Sequence, residues 1–243
     1  MNKLANKLSI ILINTQLPEN LGSTARAMLN FKFHDLRVVN PKFSLKNEKI
    51  IPVSAGADSL VEKIKRYNSF EDSIKDLNYI IGCTVRKRSS NKICLNIEEI
   101  KEEINQKVVS GNKVGIVFGP ENSGLTNEHL ALVDVVLSIN TNPSFSSLNL
   151  SHAVMIICYE LSIKTQGGNE KNFLNLKKLA KKKELISFFL RLEILLKESG
   201  FIKTQERRLT IISKIRNIFS RLSLTSNELN TLVGIISSLS RKK

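Results

Sequence analysis

The sequence predicts an α/β fold, a parallel sheet with helices on both faces, followed by a small all-α part. Three observations carry this. Five short apolar runs rich in Val, Ile and Leu alternate with helical spacings as far as Leu161. Each of these strand-like runs is closed by a polar or turn-forming segment. Beyond residue 170 such runs stop, and only stripes at helical spacing remain.

In chain order, residues 8–13 (LSIILI) form the first run, β-branched enough for a central strand. It opens into a polar loop over residues 14–23, containing Pro18, Asn20 and Gly22. A helix is predicted over residues 24–33, with Ala27, Met28, Leu29 and Phe31 at helical spacing and Arg26 in its first turn. Residues 36–39 make the next strand, stopped by Asn40-Pro41. Residues 54–67 and 69–77 read as helices, the second opened by the capping pattern Ser69-x-x-Asp72. A third strand over residues 78–84 runs into Arg86-Lys87-Arg88, which reads either as a solvated loop or as phosphate contacts. An acidic helix over residues 97–109 returns the chain to the strand at residues 114–118.

That strand stops at Gly119-Pro120-Glu121-Asn122-Ser123-Gly124, where glycine lets backbone approach a ligand closely. Thr126 caps a short helix, and residues 135–139 form a fifth strand. After a polar loop over residues 140–147, Ser146 or Ser147 opens a helix with almost no polar face: Leu148, Leu150, Ala153, Val154, Ile156, Ile157 and Leu161. Residues 1–163 thus make one α/β domain, residues 164–170 a Gly-containing linker, and residues 171–243 a basic helical domain. The last has a stripe closed by Gly200, a second from Leu209 to Leu222, and a capping box Thr225-x-x-Glu228 before its final helix.

Composition narrows the function classes. The chain has 243 residues, 42% of them apolar, and a formal charge of +15. Residues 164–243 hold 18 Lys/Arg against 6 Asp/Glu, whereas residues 1–163 hold 19 against 16. A surplus so concentrated is either a solvated helical face or a footprint for a polyanion, nucleic acid first. No apolar run approaches the ~20 residues of a membrane helix. The three cysteines, Cys83, Cys94 and Cys158, have no metal or disulfide spacing, so a cytoplasmic, metal-free protein is expected. The Gly-rich fingerprint of a dinucleotide-binding first strand and the GK[ST] of a phosphate loop are both missing.

Two blocks give a specific resemblance: Gly119-x-Glu121-x-x-Gly124-Leu125-Thr126-Asn127-Glu128, then Asn142-Pro143-x-x-Ser146-Ser147-Leu148-Asn149-Leu150. With Asn20, Gly22, Ala25, Arg26 and Ala27 near the N-terminus, they resemble the three motifs of the SpoU branch of the SPOUT methyltransferases. Within it the chain is similar to the tRNA (cytidine/uridine-2'-O)-methyltransferases, which share a C-terminal extension like residues 164–243. The resemblance implies a C-terminal trefoil knot, a homodimer burying the apolar last helix of the sheet domain, and S-adenosyl-L-methionine as methyl donor. It implies cofactor contacts from Cys83, Thr84, Val85, Gly119, Ile139, Ser146, Ser147 and Leu148. Arg26 and Asn20 become the catalytic candidates, and Arg86, Arg88, Glu121 and Asn149 the contacts to RNA. Pro120 stands where many members of the group carry arginine, a departure that bears on RNA contact. The implied reaction methylates the ribose 2'-hydroxyl of cytidine or uridine at position 32 of the tRNA anticodon loop. Its alternatives are ribose methylation of ribosomal RNA or another tRNA site, and a non-catalytic nucleic-acid binder.

Overall fold

The structure is a computed structural model that describes residues 4–85, 92–163, 177–202 and 204–240. Arg86, Arg88 and the expected linker lie outside the described residues. Seven strands form one sheet: β1 (Leu8–Ile13), β2 (Asp35–Val39), β3 (Lys65–Tyr67), β4 (Tyr79–Cys83), β5 (Cys94–Leu95), β6 (Val114–Phe118) and β7 (Val135–Leu137). Their order is β3-β2-β1-β6-β4-β7-β5, and every pair is parallel. The five predicted strands are present. The two added ones, β3 and β5, are edge strands of three and two residues; β3 opens with two cations, and β5 is too short to show a pattern.

Ten helices accompany them among the described residues: α1 (Pro18–Asn30), α2 (Ile50–Ser54), α3 (Asp58–Val61), α4 (Phe70–Ile74), α5 (Ile97–Val109), α6 (Asn127–Leu132), α7 (Leu150–Ser162), α8 (Lys182–Glu198), α9 (Gln205–Ser220) and α10 (Ser226–Ser240). Three boundaries differ from the sequence reading. The first helix begins at Pro18, inside the expected loop, because proline is preset for the first helical position. Arg26 therefore lies in the third turn, not the first. The expected helix over residues 54–67 is instead the end of α2, the single turn α3 and the strand β3. Positive φ at Ala55 and Gly56 breaks it early. The last helix of the sheet begins at Leu150 with Asn149 as its cap, so residues 146–148 stay in the loop.

Strand alternation sorts the core into two layers. Ile10, Leu12, Ile81 and Ile116 face one layer with α1, α2, α3, α5 and α7. Ile11, Ile13, Ile80 and Val117 face the other, where α4 and α6 supply only Phe70, Ile74, Leu130 and Leu132. Leu185, Phe188 and Phe189 of α8 and Leu229 of α10 complete that second layer. The C-terminal helices are therefore part of the cover of the sheet. Their approach is fixed at the N-terminal edge of the strands. Asn78 donates to the Leu179 carbonyl at 2.8 Å, Asn112 accepts from the Leu179 N–H at 2.8 Å, and Lys182 meets Asp134 at 2.8 Å with both side chains about 95% buried.

β7 sits between β4 and β5, which are consecutive in the chain. α6 packs on the second layer and α7 on the first, so the chain passes from one face to the other at β7. A C-terminal trefoil knot needs such a passage.

Candidate active site

Because all strands are parallel, their C-terminal ends and the loops after them share one edge, the usual place for a ligand in open α/β sheets. A cleft of about 700 Å³, counting its open mouth, lies there. β4 delivers Cys83 and then Thr84 and Val85; β6 delivers Phe118 and then Gly119, Pro120 and Glu121; β7 leads to Ile139. Ser147 and Leu148 come from the following loop, and Leu150 and Ala153 from the first turn of α7.

Local chemistry sets this shape. A side chain at Gly119 would collide with the backbone of Gly124 and Leu125, so the loop can fold back on β6 only with glycine there. Gly124 closes the turn at φ +65°, its N–H donating to the Pro120 carbonyl at 2.8 Å. The N–H of Thr84 donates to the Leu137 carbonyl at 3.1 Å and holds the β4 exit against β7.

Three loops are tied together by one polar chain. Glu121 Oε1 accepts from Thr15 Oγ1 at 3.0 Å and from Asn20 Nδ2 at 2.9 Å, while Oε2 accepts from the Gln16 N–H at 3.0 Å. Asn20 Oδ1 accepts from Asn149 Nδ2 at 2.9 Å. Asn149 Oδ1 in turn accepts from the N–H and the hydroxyl of Ser151, at 2.9 and 2.7 Å, capping α7. The asparagine at position 20 is only 5% exposed and both ends of its amide are engaged. Its geometry is that of a brace.

Seven of the eight residues expected to hold a cofactor line the cleft: Cys83, Thr84, Val85, Gly119, Ile139, Ser147 and Leu148. Ser146 does not; its carbonyl accepts from Thr141 Oγ1 at 3.3 Å and pins the loop. Arg26 is exposed on α1 and is not brought to the cleft of its own chain. Phe118, Leu150 and Ala153 were missed as lining residues. Their signal was position: Phe118 ends a strand, and Leu150 and Ala153 are one helical turn apart at the start of α7.

The lining contains the carboxylate of Glu121 and no lysine or arginine among the described residues. Burial pushes the Cys83 thiol up to about 12, so it is a neutral apolar wall and no nucleophile. Among the described residues no cluster of three or more His, Cys, Asp or Glu side chains is placed to hold a metal ion. Among the described residues no helix is long and apolar enough to cross a membrane.

Comparison with known proteins gives the family. Residues 7–159 match the SpoU rRNA methylase family. An uncharacterized tRNA/rRNA methyltransferase of Haemophilus influenzae is 34% identical over 98% of this chain and 97% of its own. The tRNA (cytidine/uridine-2'-O-)-methyltransferase TrmJ of Photorhabdus laumondii is 31% identical over 98% of both chains. The crystal structure of TrmJ from Z. mobilis ZM4 superposes with a TM-score of 0.86 at 34% identity, covering 95% of this chain and 98% of that one. The parallel sheet, the cleft at its C-terminal edge and this match across the motif-bearing residues make the chain a member of the SpoU methylase family.

Proposed function

We propose that the chain is an S-adenosylmethionine-dependent tRNA methyltransferase acting on the ribose 2'-hydroxyl of cytidine or uridine at position 32 of the anticodon loop. The observation that carries this is the cleft itself, supported by a relative matched over 98% of this chain and named as a tRNA (cytidine/uridine-2'-O-)-methyltransferase. Phe118, Ile139, Leu148 and Leu150 give it walls for an adenine, and Thr84 and Ser147 give it hydroxyls for a ribose. A cleft with one carboxylate and no described cation suits a ligand that carries positive charge. Bound there, S-adenosylmethionine supplies a methyl group on a sulfonium.

The residues of the chain orient and do not react covalently. Glu121, Asn20 and Asn149 fix the three loops, so the cleft keeps one shape when the ribose arrives. Glu121 is no free base, since both its oxygens already accept protein donors. A guanidinium is a poor base and a good bidentate partner for phosphate, so Arg26 serves to grip a phosphate next to the target ribose. The hydroxyl proton then passes to that phosphate or to water. Arg26 must be delivered to a cleft that it does not line in its own chain. α7 exposes Met155 and Tyr159 one helical turn apart, and Phe31, the residue that caps α1, meets Tyr159 edge-on at 5.9 Å. A homodimer through that surface, in the cytoplasm, is the assembly we propose. Residues 171–243 add the positive charge that RNA needs, and Arg86 and Arg88 are assigned to phosphate contact.

A second reading, ribose methylation of ribosomal RNA, has the name of the Haemophilus influenzae relative in its favour, since that name covers both RNAs. A purely binding role leaves the cleft without a use. Mapping ribose methylation in tRNA and rRNA with and without the gene, alongside methyl transfer in vitro, separates these. Loss of the 2'-O-methyl group at tRNA position 32 is expected. An unchanged tRNA map with a lost rRNA mark would move the assignment to ribosomal RNA.

A further inference from the structure

A second concavity lies between α6 and α9, on the sheet face opposite α1 and α7. It spans about 740 Å³ when its open side is counted. One wall is Asn127 and Glu128, the two residues that end the motif beginning at Gly119. The other is one face of α9: Thr210, Ser213, Lys214 and Asn217, at spacings i, i+3, i+4 and i+7. Two helices packed only for stability would place apolar residues at those spacings. α9 does so on its neighbouring face, where Ile212 is buried. None of the six polar side chains makes a hydrogen bond or ion pair to another described residue, and Asn217 Oδ1 is a buried acceptor with no partner. At the far end, Ser220 Oγ donates to the Ala131 carbonyl at 2.9 Å and closes the groove. Leu209, 62% exposed, stands at the open end.

We propose that this groove takes one unpaired nucleotide of the RNA substrate, an inference that rests on the RNA-methylating reading. The chemistry matches part by part. Lys214 meets a phosphate, and Leu209 gives an apolar surface for the flat face of a base. Glu128 accepts from the N–H donors on the edge of the base. Thr210, Ser213 and the two amides accept and donate to what remains. α9 also carries Arg207 and Arg208, whereas Arg216 is taken up by Glu193 at 2.9 Å, so the charge added beside Lys214 favours a polyanion. Asn127 follows Gly124 by three residues, so a nucleotide here lies a short stretch of chain from the cleft.

Two variants test it in the full-length protein. Ser213→Trp fills the groove, and Glu128→Gln removes the charged acceptor while keeping the shape. tRNA binding is read by filter retention, methyl transfer by kcat and KM, S-adenosylmethionine binding by calorimetry, and folding by thermal midpoint. Both variants are expected to weaken tRNA binding and raise the KM for tRNA about tenfold or more, leaving kcat, cofactor affinity and midpoint near wild type. Unchanged tRNA affinity in Glu128→Gln, or in a folded Ser213→Trp, overturns the groove and leaves the methyltransferase reading intact. Wild-type protein that binds tRNA without methylating it, with binding lost in both variants, supports the groove and sinks the reaction. Wild-type protein that does not bind tRNA sinks both.

Discussion

The two edges of the sheet use the same residue types to opposite ends. At the C-terminal edge, Glu121, Asn20 and Asn149 bind one another and leave a cleft open beside them. At the N-terminal edge, Asn78, Asn112 and Asp134 bind the incoming segment of α8 and leave a smaller pocket, about 270 Å³ against about 700 Å³. Asp134 accepts from the Ile80 N–H at 2.6 Å as well as from Lys182. The first network holds loops for a ligand, and the second holds helices for a core. The difference shows which polar residues can be removed at a cost in activity and which at a cost in folding.

The largest expected effect falls on the folding edge. Asp134→Ala leaves the Lys182 ammonium buried with its ion-pair partner gone and the Ile80 N–H unmatched. A cost of about 3–5 kcal/mol in urea unfolding is expected, the scale for halving a buried ion pair. A loss under 1 kcal/mol would mean that water reaches this junction and that the two edges differ less than their burial says.

Glu121→Gln comes next and should divide the other way. The amide keeps one accepting oxygen and turns an N–H toward the other donors, so either the Gln16 N–H or the pair Thr15 and Asn20 loses its acceptor. Stability should fall by only about 1–3 kcal/mol, since the site is partly open to water. Methyl transfer should fall ten- to a hundredfold in kcat with tRNA affinity little changed, because positioning is what is lost. Loss of tRNA affinity with intact kcat would instead make Glu121 a contact to RNA.

Most of the sheet was legible in the sequence because buried parallel strands are continuous apolar runs, as in residues 8–13 and 114–118. β3 and β5 were not, since Lys65-Arg66-Tyr67 and Cys94-Leu95 are held by strand pairing at the sheet's two edges, without an apolar pattern of their own. The start of α1 was hidden for a related reason. Asn20 and Thr24 are polar residues on a buried helix face, and composition alone assigns polar residues to loops. The cleft residues were readable as strand ends and glycines. The groove between α6 and α9 was not, because it depends on two segments about 80 residues apart meeting in space. The charge surplus of residues 164–243 read as an RNA-binding domain, but its apolar faces also complete the second core layer. Charge reversal on α9 is therefore a cleaner probe of RNA binding than truncation, which would uncover Ile11, Ile13 and Val117.

A pH effect bears on the folding edge. Burial lowers the Lys92 ammonium to about 7, outweighing the attraction of Asp134, and the charges of Lys182 and Arg221 lower it further. The group donates to the Val133 carbonyl at 2.6 Å. Its folded value lies below the unfolded one of about 10.4, so the unfolded chain binds more protons between them. This group's cost to stability is full below pH 7 and is relieved as pH rises toward 10.4. Lys92→Met should therefore stabilise the protein at pH 6 more than at pH 9. A variant with the same unfolding free-energy difference at both values would show that Lys92 stays charged and solvated.

The smallest expected effect concerns the one buried side-chain polar atom on α1 without a partner among the described residues. Thr24 is fully buried, and its Oγ1 makes no hydrogen bond, not even to the carbonyl one turn back. The other such atom is Asn217 Oδ1 in the groove of α9, so neither orphan belongs to the junction at the N-terminal edge. Valine has nearly the shape of threonine and no hydroxyl to desolvate. Thr24→Val should thus stabilise the protein by about 1 kcal/mol, the lower end of what an unmatched buried polar group costs. For a chain of this size that is a rise of roughly 2–4 °C in thermal midpoint. Methyl transfer should be unchanged if the hydroxyl is idle. A lower midpoint would mean that Thr24 has a partner, such as a buried water, and that the cleft-side helix is as fully satisfied as the folding edge.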